Sequence, residues 1–238
     1  MKVCLIPPDC MLHKKMDMDF ILAHRVMQSR RYRTHYSQQN TFKILDNGIY
    51  EGEMMDVEDV LDMAGEMLVD EVILPDWIMK RTHKQYYVDL IASLPKHLGY
   101  MVVPQGRDPA EWKDAYLDLC DLEGISSIGI PIWLNKEFGN ARPQVMHYMF
   151  RRGELNMVRD HHLLGLDSYW ELIMYPPGLI RSVDTSMPFS MAYSNEYSTR
   201  FYDPPEHHRV PTGCRLDELN LRILNDEIAT LREISRLV

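Results

Sequence analysis

The chain has 238 residues, a formal net charge of −9 from 26 basic and 35 acidic side chains, and 45% hydrophobic residues. That length supports a full core, either as one (β/α)8 barrel or as two smaller domains. The acidic balance excludes a polyanion held by bulk electrostatics alone, so any nucleic-acid contact must come from a local basic patch.

The start, Met1 to Pro8, is too short and too Pro-interrupted for a signal peptide, and no run of about 18 apolar residues marks a membrane span. The expectation is a cytoplasmic protein (host cytoplasm if phage-encoded) with no membrane partner. Cysteines at 4, 10, 120 and 214 form no CxxC pair. They read as reduced, mostly buried thiols and not as a disulfide framework.

Eight short apolar runs follow one another: Lys2–Ile6, Phe20–Ala23, Phe42–Leu45, Glu71–Leu74, Tyr100–Val103, Ser127–Ile130, His162–Leu164 and Leu179–Val183. Parallel strands buried on both faces look like this, and although one such run could be buried helix, a series of them points to strands. Helical patterns lie between most runs. The segment opened by Asp56 has apolar residues at 57, 60, 61, 64, 67 and 68 with acids at its N-terminus, as the helix dipole prefers. Asp108-Pro109-Ala110-Glu111 offers an N-cap, a proline at the first helical position and an acid in the first turn.

A further helix is expected over Arg142–Arg152. Ser186 to Pro211, rich in Tyr, Ser, Asn, His and Pro with little periodicity, reads as a long loop after the last strand. Leu216 to Leu237 reads as an amphipathic helix, with Leu219, Ile223, Ile228, Leu231 and Ile234 on one face, closing the barrel from outside. The fold class expected is α/β, a single (β/α)8 TIM barrel over residues 1–238 with a long loop after the last strand and a C-terminal helix.

In such a barrel the reacting groups come from the C-terminal ends of different strands. That rule collects Asp46, Asp76, Gln105, Gly129 and Asp184 at one mouth, with His24 after the second strand as a further candidate. Carboxylates beside an amide suit glycosidic chemistry or divalent metal binding. The metal reading is the weaker, because His161-His162 begin a strand and His207-His208 fall in a loop. Taken singly, each residue has a structural explanation: Asp46-Asn47-Gly48 is a good turn, Asp76 a helix cap, Gln105-Gly106 a strand exit, Tyr50 a core or rim tyrosine. Their joint phasing on successive strands points to a site.

The ordered set Asp46-Asn47-Gly48-x-Tyr50, Leu74-Pro75-Asp76, Val103-x-Gln105-Gly106, Ile128-Gly129-Ile130-Pro131, Leu163-Leu164-Gly165 and Ser182-Val183-Asp184-Thr185-Ser186 resembles the queuine and archaeosine tRNA-guanine transglycosylase superfamily. It is most similar to the short phage and bacterial branch that acts on DNA, and the resemblance spans about Lys2 to Phe189. It implies a pentosyltransferase that exchanges guanine in DNA for a free 7-deazaguanine base such as preQ0 or a derivative, needing no cofactor and no metal.

By the same resemblance Asp184 is the nucleophile and Asp46 the acid/base. Asp76, Gln105 and Gly129 hold the purine, and Tyr50 and Leu164 flank it beside the Gly48 turn. The implied partners are DNA presenting a flipped or single-stranded guanine nucleotide, and the free base. A homo-oligomer or a duplex-opening protein would be additions to these. At least one of two basic clusters, Arg30, Arg31 and Arg33 or Arg151, Arg152 and Arg159, would then track phosphates.

The sequence departs from the tRNA enzymes in two ways. Their Cys-x-Cys-x-x-Cys zinc motif is absent, since Cys214 is the only cysteine after the last strand, and their doubled glycine is replaced by Gly129-Ile130-Pro131. The first departure favours DNA. A guanine transglycosylase acting on tRNA and a catalytically silent barrel that binds a partner remain as alternatives.

Overall fold

The computed structural model describes residues 1–14, 16–53, 55–166, 168–195 and 218–238. His207, His208, Cys214 and the remainder of the 196–211 stretch lie outside the described residues. Eight strands, β1 (Lys2–Leu5), β2 (Met18–Leu22), β3 (Lys43–Asp46), β4 (Glu71–Ile73), β5 (Gly99–Val102), β6 (Ser127–Pro131), β7 (Asp160–Leu164) and β8 (Ser182–Thr185), pair in sequence order into a closed barrel. Every pairing is parallel, and β1 closes on β8 with Cys4 opposite Asp184.

Side chains of a strand alternate between faces, so each barrel strand feeds two cores. Val3, Ile21, Leu45, Val72, Val102, Ile128, Leu163 and Val183 face outward into the layer shared with the helices. Their neighbours Cys4, Phe20, Leu22, Ile44, Ile73, Met101 and Val103 fill the lumen together with Met18. The same alternation turns Asp46, His162, Leu164 and Asp184 inward. This double burial explains why the strands read as continuous apolar runs.

The helices are α1 (Ala23–Gln28), α2 (Arg30–Ser37), α3 (Val57–Met67), α4 (Lys84–Ser93), α5 (Pro109–Leu119), α6 (Trp133–Phe138), α7 (Ala141–Arg152), α8 (Tyr169–Ile173), α9 (Met187–Ser194) and α10 (Glu218–Leu237). At α5 the Asp108 carboxylate accepts the N–H groups of Ala110 and Glu111 at 2.9 and 2.8 Å, as the cap signal predicts. The α10 helix packs on α8, α9 and β1 from outside the barrel.

Residues 187–194, expected as part of a loop, form α9. Met187 through Ala192 are all buried, so the helix has no polar stripe and hence no readable period.

At the foot of the barrel, where strands begin, Glu71 is fully buried. Its carboxylate accepts from Arg181 at 2.5 Å, from Ser126 at 2.5 Å and from Ser127 at 2.7 Å. Burial pushes its pKa up, but the Arg181 hydrogen bonds and charge, with the two serine hydroxyls, outweigh this and hold it below the usual carboxylate range.

Candidate active site

At the opposite end, above the apolar lumen, opens a cavity of about 530 Å³ whose lining includes Asp46, Asp76, Gln105, Asp184, Tyr50, Leu164 and His24. Its walls are otherwise largely apolar, with Phe20, Leu22, Ile73 and Val103 beneath and Trp133 and Phe189 beside them. This is the end at which (β/α)8 barrels carry their chemistry.

Asp184, within β8, is 5% exposed. Its Oδ1 accepts the Gly165 N–H at 3.0 Å and lies 3.1 Å from His162 Nε2. A carboxylate only accepts, so Nε2 carries the proton, and Nδ1 accepts from the Ser182 hydroxyl at 2.7 Å. Ser182 Oγ accepts in turn from Arg181 Nε at 3.2 Å. A polar line thus climbs the inside of the barrel from Glu71 through Arg181, Ser182 and His162 to Asp184. Phe20 stacks on the His162 ring with centroids 5.6 Å apart and planes 4° from parallel. With Oδ1 held twice and Oδ2 given no hydrogen bond by a described residue, one oxygen is oriented and the other is available to a ligand.

Asp46 is the last residue of β3. The Gly48 N–H donates to its Oδ2 at 2.9 Å, and Gly48 has φ +78°, where a Cβ would stand 2.9 Å from the Glu53 carbonyl oxygen. Asp46-Asn47-Gly48 is therefore both the turn and part of the site, because the turn aims the carboxylate. Gly48 itself is buried and does not line the cavity.

Asp76 and Gln105 form a second polar group. Asn47 donates from Nδ2 to Asp76 Oδ1 at 3.1 Å and to the Leu74 carbonyl at 2.9 Å, while its Oδ1 accepts the Ile49 N–H at 2.9 Å. Gln105 Oε1 accepts the Trp133 indole N–H at 2.7 Å and the Met79 N–H at 3.3 Å, so its Nε2 faces Asp76 Oδ2 at 2.5 Å. An indole N–H can only donate, which fixes the amide orientation. Burial pushes the Asp76 carboxyl up to about 6, with the Asn47 and Gln105 donors pulling the other way. No cation is hydrogen-bonded to it among the described residues.

Behind the mouth, Arg142 is fully buried and makes a bidentate pair with Glu171, Nε to Oε1 at 2.6 Å and Nη2 to Oε2 at 2.7 Å. It also donates to the carbonyls of Ile130, Leu164 and Gly165 at 3.0, 3.1 and 2.8 Å. By holding Gly165, Arg142 fixes the backbone whose N–H meets Asp184. Across the opening, Lys136 Nζ donates to the Tyr50 hydroxyl at 2.7 Å. Tyr50 is 55% exposed, so it is a rim residue and not core.

The structure brings Asp46, Asp76, Gln105, Asp184, Tyr50 and Leu164 together and leaves other expected residues apart. Gly129 sits one layer lower, level with His162, and does not line the cavity. A Cβ there would stand 2.9 Å from Leu164, 3.0 Å from Val103 and 3.2 Å from Met101, so the glycine makes room for the floor. Pro131 and Ile132 take the place expected of it. Arg30 and Arg31 line a separate recess with His13 and His35, and Arg33 turns to Glu66 at 3.9 Å. Arg151 and Arg152 end α7 and therefore lie toward the foot, away from the mouth. Arg159 there donates to the carbonyls of Ile125 and Leu122 at 2.6 and 3.0 Å.

Residues that sequence reasoning left out of the site are Asn47, Trp133, Lys136, Arg142, His162 and Gly165. His161, the neighbour of His162, points outward to the Tyr116 hydroxyl at 2.8 Å, and burial pushes its pKa down to about 4. Among the described residues no group of three or more His, Cys, Asp or Glu is arranged to hold a metal ion. No described helix is long and apolar enough to cross a membrane.

Chemically, the cavity offers an oriented carboxylate, a second carboxylate on a rigid turn, and a buried acid–amide pair between apolar walls. Such a set can attack an electrophilic carbon, move a proton and read the edge of a flat heterocycle. No protein-family model matches the chain, and no curated protein matches it.

Proposed function

We propose that the protein is a guanine transglycosylase that exchanges guanine in DNA for a free 7-deazaguanine base by double displacement. The observation that carries this reading is that Asp184 and Asp46 face the same cavity as the Asp76–Gln105 pair. Asp184 Oδ2 attacks C1′ while the bond from C1′ to guanine N9 breaks, and Asp46 in its acid form gives the departing base its proton. The incoming base then returns a proton to Asp46 and attacks C1′. The bond from C1′ to Asp184 breaks, and two displacements retain configuration.

Guanine presents an N–H and an amino group side by side, and the Asp76 carboxylate is the acceptor suited to that edge. Tyr50 and Leu164 supply the faces between which a planar base stacks. A base inside a duplex cannot reach such a cavity, so the nucleotide enters flipped or single-stranded.

The test is incorporation of labelled guanine, chased with unlabelled 7-deazaguanines, into double-stranded DNA, single-stranded DNA and tRNA side by side. Label in DNA is the expected result. Label in tRNA alone would reassign the substrate. Label in none of them, with no free base bound, would overturn the reading in favour of a silent barrel.

A further inference from the structure

A chain of net charge −9 that handles a polynucleotide needs a local stretch of the opposite sign. Between Asp76 and Asp89 there is no acidic residue, and Lys80, Arg81, His83 and Lys84 fall in that interval. The connection 77–83 leaves β4 toward α4, so it lies on the mouth side of the barrel. It is fastened to the cavity wall at Gln105. Met79 N–H donates to Gln105 Oε1 at 3.3 Å, Thr82 N–H to the Gln105 carbonyl at 3.2 Å, and Gln105 N–H to Thr82 Oγ1 at 2.7 Å.

Lys80 and Arg81 are exposed, and neither is ion-paired within 4 Å to a described residue. Arg107, from the next connection, is 76% exposed and hydrogen-bonds Glu111. Glu111 is held below the usual carboxylate range by Arg107 first and also by Arg81, and Arg81 is carried to the same rim by its neighbour Thr82, whose hydroxyl and N–H are hydrogen-bonded to the Gln105 backbone. Trp77, directly after the cavity residue Asp76, is 36% exposed and leans edge-on against Tyr86 with centroids 5.1 Å apart.

We propose that Trp77, Lys80, Arg81 and Arg107 form the rim along which a single-stranded polynucleotide enters the cavity, the cations on its phosphates and the indole stacked on the base beside the extruded guanine. This rests on the transglycosylase reading and names the surface that reading lacks. Cationic tracks with an aromatic platform are how single strands are held without sequence preference. Arg30 and Arg31 face a separate recess and Arg151 and Arg152 the foot, whereas this rim shares Gln105 with the cavity itself.

The test is fluorescence anisotropy of a short labelled oligonucleotide with one central guanine, as DNA and as RNA, titrated with the full chain at several salt concentrations. The variants are Lys80→Glu with Arg81→Glu, Arg30→Glu with Arg31→Glu, and Trp77→Ala. Free guanine binding is measured in parallel. The Lys80/Arg81 double variant is expected to weaken binding at least about tenfold at low salt and to flatten the log–log salt dependence by about 1.4 or more, from about 0.7 per phosphate contact. Guanine binding should stay unchanged.

Trp77→Ala is expected to weaken binding about tenfold with the salt dependence kept, and the Arg30/Arg31 variant to change it less than about threefold by the weak reach of screened charges. A rim effect seen only with RNA keeps the rim and assigns RNA as the strand. Wild-type binding that the Lys80/Arg81 change leaves intact, or that both double variants reduce equally, overturns the rim and leaves the transglycosylase reading standing. A wild-type protein that binds neither strand overturns the rim as well, and if it also fails to bind guanine, the transglycosylase reading falls with it.

Discussion

Glu71 begins β4 and Asp76 lies three residues past its end, both are buried, and their carboxyl groups are shifted in opposite directions. Glu71 at the foot meets a guanidinium and two hydroxyls, while Asp76 at the mouth meets two neutral amides. Burial alone therefore does not decide what a carboxylate does in this barrel; the charge of its partners does. A buried acid fully matched by a cation holds strands together. One matched only by dipoles keeps acceptor capacity for a ligand.

The sharpest way to break this contrast is at the mouth. Asp184→Ala is expected to lower base exchange on the order of ten-thousandfold and to remove any covalent protein–DNA adduct on a denaturing gel, with the midpoint of thermal unfolding lowered only by a few degrees for the stranded His162 and Gly165 donors. Near-wild-type exchange by this variant would sink the double-displacement mechanism. The reverse pattern is expected at the foot. Glu71→Ala leaves Arg181 without its main partner and should reduce stability in urea unfolding by about 3 kcal/mol, while exchange per folded molecule changes little.

Asp76→Asn should weaken binding of the free base on the order of tenfold to hundredfold, because a donor replaces an acceptor at the base edge. The sign of the pH effect follows from the same group. With its carboxyl titrating near 6, Asp76 is ionised above that pH and protonated below it. Wild-type base binding should therefore fall as pH drops from 7 to 5, and the Asp76→Asn variant should show no such fall in calorimetry. The smallest effect is expected at the rim: Tyr50→Ala should weaken free-base binding and raise KM for the nucleic acid, each about fivefold to tenfold, through lost stacking on the base.

The strands were legible because each is buried on both faces, which a parallel barrel imposes on the sequence directly. Their ends were less so: β8 runs to Thr185, which places Asp184 inside a strand that read as ending at Val183. Asp46, Asp76, Gln105 and Asp184 could be picked out because polar residues at strand exits of a barrel converge. His162 could not, since two adjacent histidines look alike until the register decides which faces the lumen. Arg142 reads as an ordinary basic residue of a helical first turn, and its carbonyl targets lie on two strands. Gly129 reads as a strand-end backbone contact, whereas packing against Leu164, Val103 and Met101 sets its place.

The Arg142 guanidinium has a mechanical consequence. It ties the exits of β6 and β7 to each other and to α8 through Glu171, so those two edges of the mouth cannot breathe separately. The Gly165 amide, which donates to Asp184 from backbone that Arg142 holds at its carbonyl, should then exchange slowly for a residue of a connection. The Tyr50–Lys136 hydrogen bond that spans the opening is solvent-facing and free to part on the timescale of exposed side chains. One tie at the entrance is a buried clamp and the other an exposed latch.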